Sequence, residues 1–145
     1  FEVAYSALVE GGLFLNQAIT WCGQAHEDRI DPFVDGYVFP GGQLLTIDET
    51  IRYAHVAGFE VLDVESLRDS YIHTSRAWLR RLEEHREEIV ALTDARTYKT
   101  FRMYLAGFLD QFSKGRIGVC QTLLRKPGPS TVAPHLDRAR WYCDL

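Results

Sequence analysis

No two strand-like segments of this chain follow one another directly. The short apolar run Leu13–Ile19, the alternating segment Phe59–Leu67 and the strand pattern Ile117–Leu124, with Val119, Thr122 and paired leucines, are each separated by helix-forming sequence. The order helix, strand, helices, strand, helical hairpin, strand mixes α and β elements but is not a self-contained parallel fold. Three strands make a small sheet with at least one raw edge, and another element has to cover that edge.

The helices between them are legible from spacing and punctuation. Phe1, Tyr5, Leu8 and Val9 share one helical face, which Gly11-Gly12 ends. Residues 21–30 are polar and irregular. Asp31-Pro32 offers an N-cap followed by a first-turn proline and predicts a short helix through Tyr37. Pro40-Gly41-Gly42 forces a turn, and Thr46 with Glu49 has capping-box spacing ahead of Ile47, Ile51 and Val56, so a helix runs on to Gly58. Trp78, Leu82, Ile89 and Leu92 form one stripe, and Tyr98, Phe101, Leu105, Phe108 and Phe112 a second, which predicts two long helices packed as a hairpin and ended by Gly115. The aromatic stripe of the second helix reads as packing core. The mixed charges from Arg76 to Glu88 read as a solvated face. From Pro127 onward the prolines and scattered polar residues predict a loosely held tail, so the chain divides into residues 1–127 and 128–145. It opens on Phe1, inside a helical pattern, as a piece of a longer protein would.

Charge and composition remove several classes of function. A net charge of −4, without a Lys/Arg cluster, is not the footprint of a nucleic-acid partner or an anionic membrane surface. No apolar run reaches the roughly eighteen residues that span a bilayer, and the start lacks a signal-peptide pattern, so a cytoplasmic protein is expected. Cys22, Cys120 and Cys143 are odd in number and widely spaced, which predicts free thiols, with Cys120 buried. Cys22 and His26 lie four apart without two further ligands at suitable spacing, so no metal site is expected. No arrangement of Ser, Cys and His supports hydrolase chemistry.

Leu15-Asn16-Gln17-Ala18-Ile19, Tyr37-Val38-Phe39-Pro40-Gly41-Gly42 and Asp63-Val64-Glu65 resemble, in order and spacing, the cyclopropane fatty acid synthase and mycolic acid methyltransferase family. Leu67-Arg68-Asp69-Ser70-Tyr71, Trp78-Leu79, Tyr104-Leu105-Ala106-Gly107-Phe108 and Gly115-Arg116-Ile117-Gly118-Val119 continue the resemblance, over about residues 1–127. It implies an α/β chain, the C-terminal part of a Rossmann-like class I methyltransferase fold. This part would hold the last three strands, the final one antiparallel between the other two, with flanking helices and a long helical hairpin insertion. The glycine-rich loop for S-adenosylmethionine would lie upstream of Phe1, so no cofactor-binding residue is assigned within this chain.

The same resemblance implies a reaction: the double bond of an unsaturated fatty acyl lipid takes the methyl group of S-adenosylmethionine, and the resulting carbocation loses a proton, with bicarbonate as acceptor. In the family pattern a cysteine and a glutamate from the absent half hold the bicarbonate, together with a histidine, an isoleucine backbone and a tyrosine. Tyr71 matches the tyrosine and is the catalytic candidate; Ile19 matches the isoleucine; Gln17 stands where the pattern has histidine. A glutamine amide can donate a hydrogen bond to an anion but does not titrate near neutral pH, a departure that counts against a cyclopropane product and is compatible with a methyl-branched or methylene product or with a lost activity. On its own, Tyr71 would read as an ordinary half-buried tyrosine. The implied partners are the acyl lipid and the missing N-terminal half, with peripheral membrane contact and self-association as further options. A methyltransferase acting on another small acceptor and a non-catalytic interaction or lipid-docking module are the competing readings.

Overall fold

The computed structural model describes residues 1–23 and 31–129. Its elements run α1 (Glu2–Ala7), β1 (Leu13–Trp21), α2 (Pro32–Tyr37), β2 (Leu45–Thr46), α3 (Ile47–Val56), β3 (Glu60–Ser66), α4 (Arg68–Glu84), α5 (Arg86–Leu92), α6 (Ala95–Ser113) and β4 (Ile117–Arg125). The expected tail falls almost wholly outside the described residues, as do His26 and Cys143.

The sheet has the order β2-β1-β4-β3. β4 runs antiparallel to both β1 and β3, and so lies between them as expected. The expected count of three strands is corrected to four. β2 has only two residues, and pairs in parallel with Thr20 and Trp21; a segment that short carries no periodicity to read. Trp21, expected in an irregular segment, closes β1. In β3 the register to β4 shifts between Val61 and Asp63, so Leu62 is an extra residue in a bulge, the reason its apolar positions change face along the strand.

Each face of the sheet has its own core. On one, Ala54 of α3, Phe59 and Leu124 pack with Phe1, Ala4, Tyr5 and Leu8 from α1 and its cap, together with Phe14 and Val61. Lys126 ties α1 down: its ammonium donates to the carbonyls of Tyr5 (3.1 Å), which also accepts from the Leu8 N–H, and of Leu8 (2.8 Å) at the helix end. Gly58 has φ +99°, and a Cβ there would stand 3.1 Å from the Tyr5 ring, so the turn from α3 into β3 requires glycine. On the other face Phe112, Ile117 and Val119 pack with Ile19, Trp21, Tyr71, Ile72 and Phe108 beneath α4 and α6.

The helical hairpin is present but its first arm is broken. α4 ends at Glu84, with His85 as its cap, and α5 restarts at Arg86, so Leu92 does not continue the Trp78 stripe and is 84% exposed. The guanidinium of Arg102 bonds to Glu83 at 2.8 Å and links α6 to α4. Cys22 and Cys120 are free thiols, and Cys120 is half-buried, not buried, because it sits on a strand face that α1 and α3 cover only in part.

α3 begins as its sequence predicts. The Thr46 hydroxyl accepts from the Glu49 N–H, and the Thr46 N–H donates to the Glu49 carboxylate at 2.9 Å, closing a capping box. Thr46→Ala is expected to cost about 1 kcal/mol. It should lower the urea midpoint without changing the slope of the transition, and Thr46→Ser should restore most of the loss; equal midpoints for Thr46→Ala and the parent would refute it.

Candidate active site

A cavity of about 240 Å³ opens between the sheet and the helical hairpin. Gln17, Ala18 and Ile19 of β1 and Val119 of β4 form its floor. Tyr71, Ser75 and Trp78, spaced by one helical turn each, line it from α4; Tyr104, Leu105, Phe108 and Phe112 do so from α6. The aromatic rings interlock: Tyr71 meets Phe112 at 6.0 Å and Trp78 at 6.4 Å, Tyr104 meets Phe108 at 4.4 Å, and Phe108 meets Phe112 at 5.5 Å. The stripe read as packing core from sequence is therefore core and cavity wall together. Phe112 is buried, Tyr104 and Phe108 are half-buried, and Phe101 turns outward.

A chain of hydrogen bonds crosses the cavity rim. Gln121 Nε2 donates to Gln17 Oε1 at 2.6 Å, and Gln17 Nε2 donates to the Tyr71 hydroxyl at 2.6 Å. Strand register builds this contact: Gln17 and Gln121 are direct partners across β1 and β4, so their side chains rise from the same face. Glu65 of β3 is the partner of Gln121 on its other side. α4 starts two residues after β3, and its first turn sets Tyr71 above this row.

The backbone of Ile19 is directed to the outer edge of β1, its carbonyl within the parallel bridge of Thr20 with Leu45 and its N–H beyond the end of β2. The bonds Cys22 N–H to Arg116 C=O and Lys126 N–H to Gly12 C=O show that even-numbered residues face β4 in this ladder. Antiparallel pairing alternates, so Gln17 and Ile19 direct their N–H and C=O groups to the opposite edge. There β2 reaches only Thr20 and Trp21, and among the described residues no strand pairs along residues 13–19 on that side. Leu13 and Leu15 are 57% and 54% exposed on the same stretch.

Tyr71, Gln17 and Ile19, singled out from sequence, thus meet at one cavity. Gln121, Ser75, Trp78 and the α6 aromatics were not singled out for the site. The two matched helix stripes could have indicated the walls; no local pattern marks Gln121.

Chemically the cavity is a neutral, electron-rich enclosure. Among the described residues the ionisable groups lining it are Tyr71 and Tyr104, and burial pushes the Tyr104 phenol up, which keeps it neutral. Aromatic faces attract positive charge, so a developing cation is accommodated, but among the described residues no carboxylate or imidazole lines the cavity to take up its proton. A whole cofactor is not accommodated: ligand sites usually start at about 300 Å³, and Gly11-Gly12 leads into a strand, not from a strand into a helix. Among the described residues no helix is long and apolar enough to cross a membrane.

Residues 1–122 match the family described as mycolic acid cyclopropane synthetase. A probable fatty acid methyltransferase of Pseudomonas putida is 38% identical over 129 residues, covering 85% of this chain and 32% of that protein. Methoxy mycolic acid synthase MmaA3 of Mycobacterium tuberculosis is 30% identical over 137 residues, covering 87% and 47%. Among solved structures, mycolic acid cyclopropane synthase CmaA1 complexed with SAH and CTAB superposes with a TM-score of 0.76 at 28% identity, over 86% of this chain and 48% of that one. The chain spans about half or less of the length of these proteins.

Proposed function

The chain belongs to the mycolic acid cyclopropane synthetase family, and on that premise we propose that it is the acyl-facing, C-terminal part of an S-adenosylmethionine-dependent methyltransferase acting on the double bond of an unsaturated acyl lipid. The carrying observation is the cavity itself: an aromatic enclosure with one oriented phenol at its rim, at the position the family's tyrosine would take. A small polar acceptor would find only Gln17, Ser75 and two phenols there. An acyl chain finds apolar surface and a lining suited to an alkene that becomes a cation.

S-adenosylmethionine supplies an electrophilic methyl group. The described residues provide no cradle for it, so it belongs with another part of the enzyme, and the open edge along residues 13–19 is a suitable place for that part to pair. The residues here do three things. The rings of Tyr104, Phe108 and Phe112 line the acyl segment on its inner side, with Trp78 half in solvent at the mouth, and an acyl chain lying there would displace water, which strengthens the electrostatic contacts inside. They stabilise charge as it forms on the acyl carbon. The Tyr71 hydroxyl and the Ile19 N–H would hold a bicarbonate, which supplies the base that the neutral lining lacks.

The test uses the full-length enzyme, methyl-labelled S-adenosylmethionine and vesicles of unsaturated or saturated phospholipid. Label is expected in the acyl chains of the unsaturated lipid alone, each product chain one carbon longer in composition. Label in headgroups, or equal labelling of both lipids, would overturn the reading. The position of the added carbon distinguishes a ring from a branch.

A further inference from the structure

We propose that Gln121 is a positioning residue that sets the direction of the hydrogen bond made by Tyr71, so that the phenol must give its proton to an acceptor in the cavity. The proposal rests on the functional reading above, in which that acceptor is an anion.

A primary amide is directional: its oxygen only accepts and its nitrogen only donates. With Gln121 Nε2 donating to Gln17 Oε1, Gln17 is left with its nitrogen facing Tyr71, and that nitrogen donates to the phenol oxygen. The phenol therefore accepts from Gln17, and its own O–H must be used elsewhere. The cavity it lines is the direction in which an acceptor would fit. Turned the other way, the same three residues would consume the Tyr71 proton on Gln17 and present only a lone pair to the cavity.

Gln121 decides between the two arrangements because of where its strand lies. β4 is central, and Gln121 has Gln17 as its partner on one side and Glu65 on the other. In this row Gln121 presents its nitrogen to Gln17, and an amide nitrogen can only donate. Gln121 is half-buried, whereas Gln17 and the two hydrogen bonds it makes are exposed at the cavity rim. Since Gln17 cannot titrate, the orientation is held across the working pH range.

The discriminating variant is Gln121→Glu in the full-length enzyme, which keeps the shape and leaves a group that only accepts when ionised. Gln17 would then turn its nitrogen toward the new carboxylate and its oxygen toward Tyr71, reversing the chain. Gln121→Leu removes the lock without adding charge. The readout is affinity for isotope-labelled bicarbonate by NMR titration, with thermal stability and S-adenosylmethionine affinity as controls. Gln121→Glu is expected to weaken bicarbonate binding about tenfold, and Gln121→Leu less, as a hydrogen bond to a charged group is removed. In a Tyr71→Phe background neither variant should weaken binding further, an outcome that a general packing defect would not give. Affinity within twofold of the parent for Gln121→Glu, additive losses in the Tyr71→Phe background, or a parent enzyme that does not bind bicarbonate would each overturn the proposal. An enzyme that binds bicarbonate through Tyr71 yet transfers no methyl group overturns the functional reading and leaves the positioning role standing.

Discussion

Tyr71→Phe in the full-length enzyme is expected to lower kcat by about a hundredfold to a thousandfold, the range seen when one preorganised donor is taken from a catalytic site. The substitution removes a single oxygen. The ring keeps its contacts to Trp78 and Phe112 and its place in the core with Ile19, Ile117 and Val119, so the fold has little reason to change. What is lost is the group at which the hydrogen-bond chain from Gln121 through Gln17 ends, and Gln17 Nε2 is left without its acceptor. KM for S-adenosylmethionine should stay within about threefold, because the described residues offer that molecule no cradle and a loss confined to the transition state appears in kcat. Steady-state kinetics with unsaturated phospholipid measures both. A kcat within threefold of the parent would remove Tyr71 from the chemistry and reduce it to a wall of the cavity.

The elements that could be read from sequence are those with a long enough pattern or a definite stop. Leu13–Ile19 and Ile117–Leu124 stood out because each is a short, mostly apolar run bounded by glycine on its N-terminal side, too short for another helix. α3 stood out because its capping box and Gly58 mark its two ends. β2 could not be read, since two residues have no period, and the break at His85 could not either, since both arms carry helix-forming sequence. The site divides along the same line. Tyr71 and Gln17 were reached through a family resemblance. Gln121 lies 104 residues from Gln17 and is joined to it only by the register of β1 against β4, which many residues set together and no local motif declares. The α6 aromatics were visible as a stripe, but a stripe does not tell a wall from a core until the facing helix and sheet are in place.

Phe112 occupies both roles, and Phe112→Ala is expected to destabilise the protein by about 3–5 kcal/mol, the usual cost of emptying a large buried site. The residue is 1% exposed and packs with Ile117 and Val119 beneath the last turn of α6. Its backbone is used separately: the carbonyl accepts from the Arg68 guanidinium at 3.2 Å and from the Gly115 N–H at 3.1 Å, and both bonds survive the substitution. The loss is then one of packing, and two features make the surroundings slow to collapse into the space. The ring is held on one side by a central strand and on another by Tyr71 and Phe108. Urea denaturation should show a lower midpoint with an unchanged slope, and Phe112→Leu, which retains most of the volume, should cost less than half as much. A loss below about 1 kcal/mol for Phe112→Ala would mean that the helices close over the gap, so that the cavity wall is set by their adjustment and not by this ring. Because the vacated volume adjoins the cavity, the same variant should also accept bulkier acyl chains relative to its own rate on ordinary ones. Tyr71→Phe should leave that preference unchanged, which separates the residue that shapes the site from the one that acts in it.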